Sequence, residues 1–530
     1  MTTTILTIAE ETLIQIFRNL DAVSIARCGM TCKSINGIIK SSVLLTYVIQ
    51  LYFDGLKDAG SFIKLDYSER TARLLRYRRY WMSPHRTVNV QSLVVHYPMK
   101  SWHLSDGFFA SLRNDCLKYV QLPNSFNNKT CDATERTISE FPTSGFCMDS
   151  TQDLIAFLED ENIPQMGTVR IHLRSMSANG IHPLAQHAVI QFTILIHSIH
   201  DAYLEISENF LLLICNRYSP IPYRVLIWDW ITGNFILDTL DSVNPLLPHL
   251  GTFYLLDSRS FLATTSDDNG SISLFKLVPS GNDTGYQVVH HTVLHLPLPI
   301  HGSFIDSFTV AYVPTNSFPN TFSAVNKEDR LHLFKIEYLY NAVSKFYPGP
   351  NSELMYFDLI VHQRVLTEFL SREAIEDGPP YDIPWEEWGP LNTRLIHCQP
   401  PNQLPSRYQI HGQRVVYAGS VAGHEDHLPM SLSRSVMILD FSLSAVLSAR
   451  GVFPLLLPSP QNDSGALSLS NKIDASNVPI FAEDVETYLP CVTRTWYFDK
   501  SYMGYLINAD GVIGARIDVG GDIHFDLYYV

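Results

Sequence analysis

The sequence predicts a mainly β protein that begins with a small all-α segment. Residues 8 to about 56 contain apolar residues at helical spacing, whereas the sequence after Pro84 alternates short apolar segments with clusters of Asn, Asp, Gly, Pro and Ser. Hydrophobic residues make up 46% of the chain and charged residues only 17%, which is typical of a globular protein built from strands and loops. At 530 residues, we expect one large domain and one small domain.

The first segment, residues 1–56, is predicted to hold several short helices. Its first helix has an apolar stripe at helical spacing, formed by Leu13, Ile16, Phe17 and Leu20. Asp21 has a side chain suited to capping a second helix. A third helix follows through Cys32 and Ile35, and a fourth apolar stripe is expected to end at Gly55.

Residues 57–84 are predicted to form a linker with one basic helix. Asp66 and Glu69 have the spacing of a capping box, and the helix should end before Pro84. Its basic residues are Arg70, Arg73, Arg76, Arg78 and Arg79. Such a run usually forms a solvated helix face, with apolar residues packed inward. A phosphate-binding surface and a brace between the two domains are the alternatives.

Residues 85–530 are predicted to form one β domain. Predicted strands include Val90–Val95, Leu117–Leu122, Leu154–Leu158, Val169–Leu173, Phe210–Cys215 and Val225–Trp230. Four segments, which begin at Arg224, Gly270, Asp329 and Ser435, resemble one another. Their central residues lie 47, 59 and 105 residues apart, the last distance being close to two repeats. Spacings a little above 40 residues are typical of four-stranded propeller blades with loop insertions.

The predicted architecture is therefore a degenerate β-propeller of six or seven blades, with seven preferred. We expect helices only before about residue 84 and the four-stranded sheets after about residue 150. Residues 88–123 are expected to supply strands that help to close the ring.

The N-terminal segment carries a family resemblance. Residues 8–20, I-A-E-E-T-L-I-Q-I-F-R-N-L, resemble the F-box opening L-P-x-E-x-L-x-x-I-F-x-x-L, and residues 31–35, T-C-K-S-I, resemble its V-C-K-x-W/F segment. Ala9 stands where the family usually has proline, and Ile35 where a large aromatic residue is common. Elements like those at residues 181–185, 227–233, 388–394 and 507–514 recur in a large family of fungal F-box proteins with a degenerate, WD-repeat-like propeller.

The resemblance implies a substrate-receptor subunit of a ubiquitin ligase. The helices would dock onto a Skp-type adaptor and, through it, a cullin, while the propeller would hold an unknown substrate protein. Three short helices are too small to bury all their apolar faces, so an apolar face is left for a partner. The residues expected to bind the adaptor are Ile8, Leu13, Ile16, Phe17, Leu20, Cys32 and Ile35. Alternatively, this stripe only packs inside the chain.

A second candidate surface lies in residues 378–390, where two tryptophans stand among acidic residues and prolines. Trp385 and Trp388 could form a substrate-recognition surface, because aromatic residues dominate interface energetics. The alternative is that both tryptophans fill a seam between blades.

The sequence does not predict an enzyme. It lacks the phosphate-loop, dinucleotide, nucleophile-elbow and zinc-protease motifs, and its histidines at 290, 291, 295, 424 and 427 form no recognisable ligand set. We therefore predict no catalytic residue, metal or cofactor. Two alternatives stay open: a scaffold that binds the adaptor without ubiquitin transfer, and a propeller hydrolase assembled from distant loops.

The net charge and the lack of a recognisable targeting signal disfavour several classes of partner and location. The formal net charge of −15 disfavours nucleic acid and anionic membrane surfaces. The start of the chain does not read as a signal peptide, and no apolar run is long enough to span a bilayer. Eight cysteines without a CxxC pair favour a reducing compartment. We expect an intracellular protein of the cytoplasm, the nucleus or both.

Overall fold

The structure is a computed structural model. It describes residues 7–58, 65–82, 89–95, 100–105, 107–113, 116–122, 133–137, 140–159, 167–194, 202–215, 224–239, 250–266, 269–279, 286–311, 323–344, 349–373, 378–398, 408–419, 433–450, 465–518 and 520–529.

Four short helices open the chain: α1 (Glu10–Phe17), α2 (Ala22–Thr31), α3 (Lys33–Ser41) and α4 (Val43–Phe53). The predicted cap of the second helix is confirmed, because the Asp21 side chain accepts a 2.9 Å hydrogen bond from the Ser24 N–H. Ser42 caps α4 in the same way, accepting from the Leu45 N–H. Gly55, the residue after the C-cap Asp54 of α4, has a φ of +64°, a conformation that favours glycine, so the helix ends here as predicted.

The linker contains one short strand and one long helix: β1 (Leu56–Asp58) and α5 (Tyr67–Met82). The Asp66 carboxylate accepts a 2.8 Å hydrogen bond from the Glu69 N–H, as its predicted capping role requires. The helix ends at Met82, before Pro84, as predicted.

Seven sheets of four or five strands follow. β2 (Asn89–Val95) comes first along the chain and belongs to the last sheet. Blade 1 contains β3 (Ser101–Ser105), β4 (Phe108–Arg113), β5 (Cys116–Gln121) and β6 (Ala133–Thr137). Blade 2 contains β7 (Thr143–Asp149), β8 (Leu154–Glu159), β9 (Gly167–Ser175) and β10 (Val189–Ile194). Blade 3 contains β11 (Ala202–Ser207), β12 (Phe210–Cys215), β13 (Arg224–Asp229) and β14 (Phe235–Asp238).

An insertion in blade 5 contributes a strand to blade 4. Blade 4 contains β15 (Leu250–Asp257), β16 (Ser260–Thr265), β17 (Ser271–Pro279) and β18 (Tyr286–His295). Between β19 (Phe304–Val310) and β21 (Leu331–Tyr340) of blade 5 lie β20 (Ser323–Val325) and a 3-10 turn (Lys327–Asp329). Between β22 (Glu353–His362) and β24 (Thr393–Cys398) lie α6 (Gln363–Leu370), β23 (Tyr381–Ile383) and α7 (Trp385–Asn392). β23 pairs in parallel with β18, as a fifth strand of blade 4.

Blade 6 also carries an insertion, and blade 7 closes the ring. Blade 6 contains β25 (Ile410–His411), β26 (Arg414–Ala418), β27 (Ser433–Asp440), β28 (Ala466–Ser468) and β31 (Cys491–Tyr502), with α8 (Leu443–Ala449), β29 (Asn471–Ile473) and β30 (Val485–Thr487) inserted before β31. Blade 7 contains β32 (Gly504–Ile507), β33 (Gly511–Ile517) and β34 (Ile523–Tyr529). β2 pairs antiparallel with β34, from Asn89 opposite Tyr529 to Val95 opposite Ile523.

Apolar clusters join each blade to the next around the ring. One cluster joins blades 1 and 2, a second joins blades 2 and 3, and a third joins blades 3 and 4. The largest spans blades 4, 5 and 6, and two more join blades 6 and 7 and blades 7 and 1. A closed sequence of seam contacts between seven sheets is a seven-bladed β-propeller, so the preferred blade count is confirmed.

Three details of the predicted architecture were wrong. Helices are not confined to the region before residue 84, because α6, α7 and α8 lie within blades 5 and 6. The first four-stranded sheet begins at residue 101, well before residue 150. The spacing of 105 residues crosses one blade boundary, not two, because residues 363–392 are inserted into blade 5. In addition, β21 is the second strand of its sheet, whereas the three strands it resembles are third strands.

Candidate functional site

The four N-terminal helices have a core of their own. Its buried side chains are Leu13, Phe17, Ile25, Ile35, Ile39, Leu45 and Ile49. A further contact joins α1 to α3, because the Ser41 hydroxyl donates a 3.0 Å hydrogen bond to the Glu10 carboxylate. The bundle therefore stabilises itself through contacts among α1, α2, α3 and α4, and only the side chains left outside this core can meet a partner.

The predicted adaptor-binding residues divide into two groups. Leu13, Phe17 and Ile35 are buried in the bundle core, and Cys32 is half-buried beside them. The three other predicted residues are exposed: Ile8 (38%), Ile16 (43%) and Leu20 (36%). The predicted stripe is not a single exposed face, because α1 turns the side with Leu13 and Phe17 inward. As direct surface anchors, Leu13, Phe17 and Ile35 are corrected to core residues; the exposed group remains available to a partner.

Several large apolar side chains of the bundle are exposed to solvent. Ile16 and Leu20 are four residues apart, and Met30, at the end of α2, is 79% exposed. Large apolar side chains exposed together on a small helical unit indicate a site where another helix or groove packs. The polar neighbours Glu10 and Glu11, in the first turn of α1, would lie at the rim of such a contact.

The helical bundle is fixed to the propeller by three separate contacts, the first of which is a strand pair. β1 pairs antiparallel with β20 of blade 5, placing Leu56 opposite Val325. Next to it, the Gly55 carbonyl accepts a 2.8 Å hydrogen bond from the Asn326 N–H. A Cβ on Gly55 would lie 2.3 Å from the amide end of the Gln413 side chain, so the backbone at Gly55 closely approaches blade 6.

The second contact is a buried ion pair. Arg78 donates to the Asp54 carboxylate, with a shortest distance of 2.6 Å, and to the side-chain oxygen of Gln50 at 2.8 Å. The same carboxylate accepts a 2.5 Å hydrogen bond from the Ser444 hydroxyl, at the start of α8 in blade 6. Asp54 therefore connects α4, α5 and blade 6, and every one of these polar groups is satisfied in the interior.

The third contact is an aromatic wedge at the end of α5. Trp81 stacks on Trp496 of blade 6, and the Tyr80 hydroxyl donates a 2.7 Å hydrogen bond to the Tyr528 carbonyl of blade 7. The Arg414 guanidinium lies 4.7 Å from the Trp81 ring and donates to the Asp440 carboxylate at 3.0 Å. Burial alone would raise the pKa of Asp440, but Arg414 and Arg494 outweigh it and hold this pKa below its usual value.

These contacts decide between the interpretations of the arginine run. Arg70 and Arg78 are buried, and Arg70 forms a 2.7 Å ion pair with Asp58 of β1, so both act in the brace between the domains. Arg76 and Arg79 are exposed, as expected for a solvated face. Sequence reasoning missed the contacts of Asp54 with Ser444 and of Trp81 with Trp496, because these residues lie hundreds of positions apart and leave no local pattern.

All three contacts lie on one face of the ring. This face, which we name the helical face, carries the turn at residues 412–413 between β25 and β26 and the turn at residues 508–510 between β32 and β33. On the same face, Lys327 of blade 5 forms an ion pair with Glu208, in the turn between β11 and β12 of blade 3. The F-box helices and the linker thus cover the helical face at blades 5 to 7, and the Lys327–Glu208 ion pair connects blade 5 to blade 3 on the same face.

The two tryptophans of residues 378–390 do not form a surface. Trp385 and Trp388 are 6% and 0% exposed and belong to the largest apolar cluster, between blades 4 and 5. The Trp388 ring N–H donates a 2.8 Å hydrogen bond to the His295 carbonyl of blade 4. The predicted recognition surface at these two residues is therefore corrected to the alternative, a filled seam, since α7 turns both rings inward.

No metal-binding group of three or more His, Cys, Asp or Glu side chains occurs among the described residues. His290 and His291 lie in β18; burial lowers the pKa of His290 to about 4, with His291 adding to the effect. His424 and His427 lie outside the described residues. In the described part of the chain, no single helix has the length and apolar character needed to cross a membrane, although the bent pair α3 and α4 meets those two criteria together.

Comparisons with known proteins identify the N-terminal unit. A family model described as "F-box domain" matches residues 5–47, which cover α1, α2, α3 and the start of α4. No curated protein matches the sequence. The N-terminal helices are therefore an F-box domain, joined to a seven-bladed propeller.

Several solved structures are similar to the chain at low identity. The WD40 β-propeller domain of Doa1 is 12% identical, over 51% of this chain and 81% of that one, with a TM-score of 0.24. Sqt1 from Chaetomium thermophilum is 10% identical, over 81% and 82%, with a TM-score of 0.33. Extracellular domains 1-2 of Drosophila Semaphorin 1b are 8% identical, over 83% and 87%, with a TM-score of 0.34. At such low TM-scores, these likenesses add nothing to the fold that the seven sheets themselves display.

Proposed function

We propose that this chain is the substrate-receptor subunit of a Skp- and cullin-type ubiquitin ligase. The F-box docks onto a Skp-type adaptor through an exposed apolar surface that includes Ile8, Ile16 and Leu20, and the adaptor connects it to a cullin. The propeller captures a substrate protein. An F-box joined to a propeller supports a receptor role in general. The observation that carries the proposal is the exposed apolar side of a bundle that already has its own core.

The buried residues have a supporting role in this proposal. Leu13, Phe17 and Ile35 hold α1 against α3, and thereby set the position of the exposed residues. Cys32, half-buried at the boundary of α2 and α3, lies at the edge of the same unit. If the adaptor contacts these four residues as well, the bundle has to open on binding.

The receptor itself performs no chemistry in this proposal. It holds the substrate beside a ubiquitin-charged enzyme that the ligase supplies, and the rate rises because two reactants are kept together. We place the main part of the substrate on the propeller face opposite the helical face. The brace through Asp54, Trp81 and the β1–β20 pair occupies the helical face and would hold that opposite surface at a fixed distance from the adaptor. The proposed location is intracellular, where such ligases act.

The test is adaptor binding by full-length variants. Burial of an aliphatic side chain contributes about 1.5–3 kcal/mol, so Ile16→Asp and Leu20→Asp should each weaken adaptor binding by more than about tenfold. Ile517→Asp is the matched control, because Ile517 is 47% exposed and ends β33 of blade 7, outside the F-box. Leu13→Ala should instead lower the stability of the bundle. Undiminished adaptor binding by folded Ile16→Asp and Leu20→Asp proteins would overturn the docking surface.

A scaffold without ubiquitin transfer is the second candidate, since the same F-box surface would serve it. Purification of the full-length protein with its partners separates the two. Recovery of both adaptor and cullin favours the ligase subunit, whereas recovery of the adaptor without a cullin favours the scaffold.

A further inference from the structure

Two inserted segments cover the outer side of blade 5. Residues 378–392, which include α7, come from the insertion in blade 5 itself, and residues 465–490, which include β29 and β30, come from the insertion in blade 6. α7 contacts β30, and both contact β24, the outermost strand of blade 5. We name the solvent side of these two segments the blade-5 outer surface. Apart from β23, which pairs with blade 4, these segments lie outside the blade sheets, so the exposed residues of α7 and of the β29–β30 hairpin are not part of a blade.

α7 has two distinct sides. Trp385 and Trp388 point into the seam, and Gly389 is packed so tightly that a Cβ there would lie 2.3 Å from the Trp385 ring. Glu387 and Leu391 are four residues apart on the other side, where Leu391 is 77% exposed. A fully packed inner side fixes the helix, so its outer side chains are presented in one orientation.

The neighbouring hairpin adds apolar residues to the same surface. The Tyr488 N–H donates a 2.8 Å hydrogen bond to the Pro390 carbonyl, which brings Tyr488, 43% exposed, next to Leu391. The Arg394 guanidinium donates to the Leu489 carbonyl at 3.1 Å and to the Ser470 carbonyl at 3.3 Å. Leu469, 51% exposed, is therefore held close to Tyr488. Three large apolar side chains share one surface.

The charge around these side chains has one sign. The two segments contain seven acidic residues against one basic residue, Lys472, and the nearest basic residue next to them is Arg394 of β24. Arg394 is buried, and Lys472 forms a 2.6 Å ion pair with Asp484. Three carboxylates, those of Glu386, Glu387 and Glu483, are exposed and have no ion-pair partner among the described residues. The surface therefore combines apolar area with uncompensated negative charge.

We propose that the blade-5 outer surface binds a basic segment of the substrate protein, in which lysine or arginine residues alternate with apolar ones. This deepens the proposed function and rests on it, because the segment is assigned to the substrate. The apolar side chains of the segment cover Leu391, Leu469 and Tyr488, while its cations lie against the surrounding carboxylates. Charge complementarity identifies the occupant: a nucleic acid or an acidic peptide would be repelled.

The experiment uses the full-length protein and a fluorescein-labelled peptide of lysine and leucine residues separated by glycine and serine. Two companion peptides replace the lysines with glutamate or the leucines with serine. Fluorescence anisotropy should detect binding of the first peptide, weakened by added salt, and at least about tenfold weaker binding of both companions. Leu391→Ser should weaken binding of the leucine-containing peptide and leave the serine companion unaffected.

The decisive variant replaces Glu386, Glu387 and Glu483 with lysine in one triple substitution, which reverses their charge. It should reduce binding of the first peptide by more than about tenfold. The matched control reverses three exposed acidic residues elsewhere, Glu135, Asp306 and Glu368, and changes the net charge equally. Equal loss in both variants would mean that only net charge attracts the peptide, and would overturn the proposal.

Two further outcomes also overturn it. The wild-type protein could fail to bind the first peptide at all. Alternatively, sedimentation could reveal self-association that the triple reversal abolishes, in which case the occupant is a second copy of this chain. Adaptor binding is measured on the same variants and should not change. A protein that binds the adaptor but not the peptide refutes this inference and leaves the proposed function intact. An Ile16→Asp protein that loses adaptor binding but still binds the peptide tests only the F-box surface.

Discussion

The indole rings of Trp81 and Trp496 stack with their centroids 5.5 Å apart and their planes 28° from parallel. Trp81 belongs to the linker helix and Trp496 to blade 6, and each is 2% exposed. The Trp81 side chain thus fills part of the seam between blades 6 and 7, together with Tyr505 and Val512 of blade 7. The end of α5 is a component of the propeller core, and not only a connection that leads to it.

Trp81→Ala should destabilise the propeller. The variant removes a buried indole from a seam that cannot fully collapse, which costs about 3–5 kcal/mol. Urea unfolding followed by circular dichroism would show a lower midpoint. Arg79→Ala, on the exposed side of the same helix, should change the free energy of unfolding by no more than about 0.5 kcal/mol. Equal midpoints for Trp81→Ala and the wild type would show that α5 is dispensable to the seam.

Asp54→Ala should break the brace between the F-box and blade 6. It leaves Arg78 buried without its carboxylate and removes the acceptor of the Ser444 hydroxyl, which we expect to cost about 3–5 kcal/mol. Thermal unfolding measures the loss. The matched control is Glu69→Ala, which removes the exposed ion pair with Arg73 on the same helix and should cost only about 0.3–0.5 kcal/mol. Similar costs for the two variants would contradict a structural role for the buried pair.

Asp526→Asn should loosen the closure of the ring. The buried Asp526 carboxylate accepts hydrogen bonds from Ser92 of β2, from Tyr502 at 2.9 Å and from Lys500 at 2.9 Å. Burial would raise the pKa of Asp526, but these donors outweigh it and hold that pKa below its usual value. We expect a loss of about 1.5–3 kcal/mol at neutral pH.

The pH dependence of that loss has a defined sign. Because the pKa of Asp526 is lower in the folded state, its stabilisation is complete above the unfolded value of about 3.9 and disappears as the pH falls through the folded value. The difference between wild type and Asp526→Asn should therefore shrink below about pH 4. A difference that stays constant down to pH 2 would show that the ionised carboxylate is not the stabilising species. Asp306→Asn, at an exposed position, serves as the control.

Buried histidines should make the propeller sensitive to mild acid. Burial, with nearby Arg330, lowers the pKa of His332 to about 3, and burial, with nearby Arg364, lowers that of His362 to about 4. Between an unfolded value of about 6.5 and these folded values, the unfolded state binds more protons, so stability falls as the pH decreases. Each histidine contributes a slope of about 1.4 kcal/mol per pH unit in that window.

His332→Phe provides the test of this acid sensitivity. The variant keeps an aromatic ring next to Tyr254 but cannot bind a proton, so the slope of unfolding free energy against pH should fall by about one proton between pH 6 and 4. The measurement is a series of urea unfolding curves across that range. An unchanged slope would show that His332 does not differ in protonation between the folded and unfolded states.

Local patterns predicted much of this fold. The cap at Asp21, the end of α4 at Gly55 and the strand Phe210–Cys215 all follow from short-range chemistry, and the structure confirms them. The spacing of similar strands also predicted a propeller of six or seven blades, with seven preferred, and the structure has seven. The prediction that the distance of 105 residues between Phe334 and Leu439 spans two repeats was wrong. The insertion of residues 363–392 lengthens the distance between these strands without adding a blade.

The candidate site was harder to predict, because a pattern of apolar residues does not specify which of them are buried in the chain and which face solvent. The stripe of α1 contains both Leu13, which is buried, and Ile16, which is exposed, and only the packed positions of α2 and α3 distinguish them. In the same way, Trp385 and Leu391 lie within one helix, but Trp385 is buried in the seam between blades 4 and 5 and Leu391 is exposed. Contacts such as that between Asp54 and Ser444, 390 residues apart, have no signal in a single sequence.

The pairing of β2 with β34 has a consequence for biosynthesis. The two strands are joined by a hydrogen bond between residues 434 apart, so the seventh blade cannot form until residues 523–529 have been synthesised. The F-box core, in contrast, uses only residues between 13 and 49 and can form while the ribosome is still translating the propeller. Its apolar surface is thus displayed long before the ring is complete. Under the proposed function, an adaptor present during translation would bind the F-box before the propeller is finished and would shield that surface from aggregation while the blades assemble.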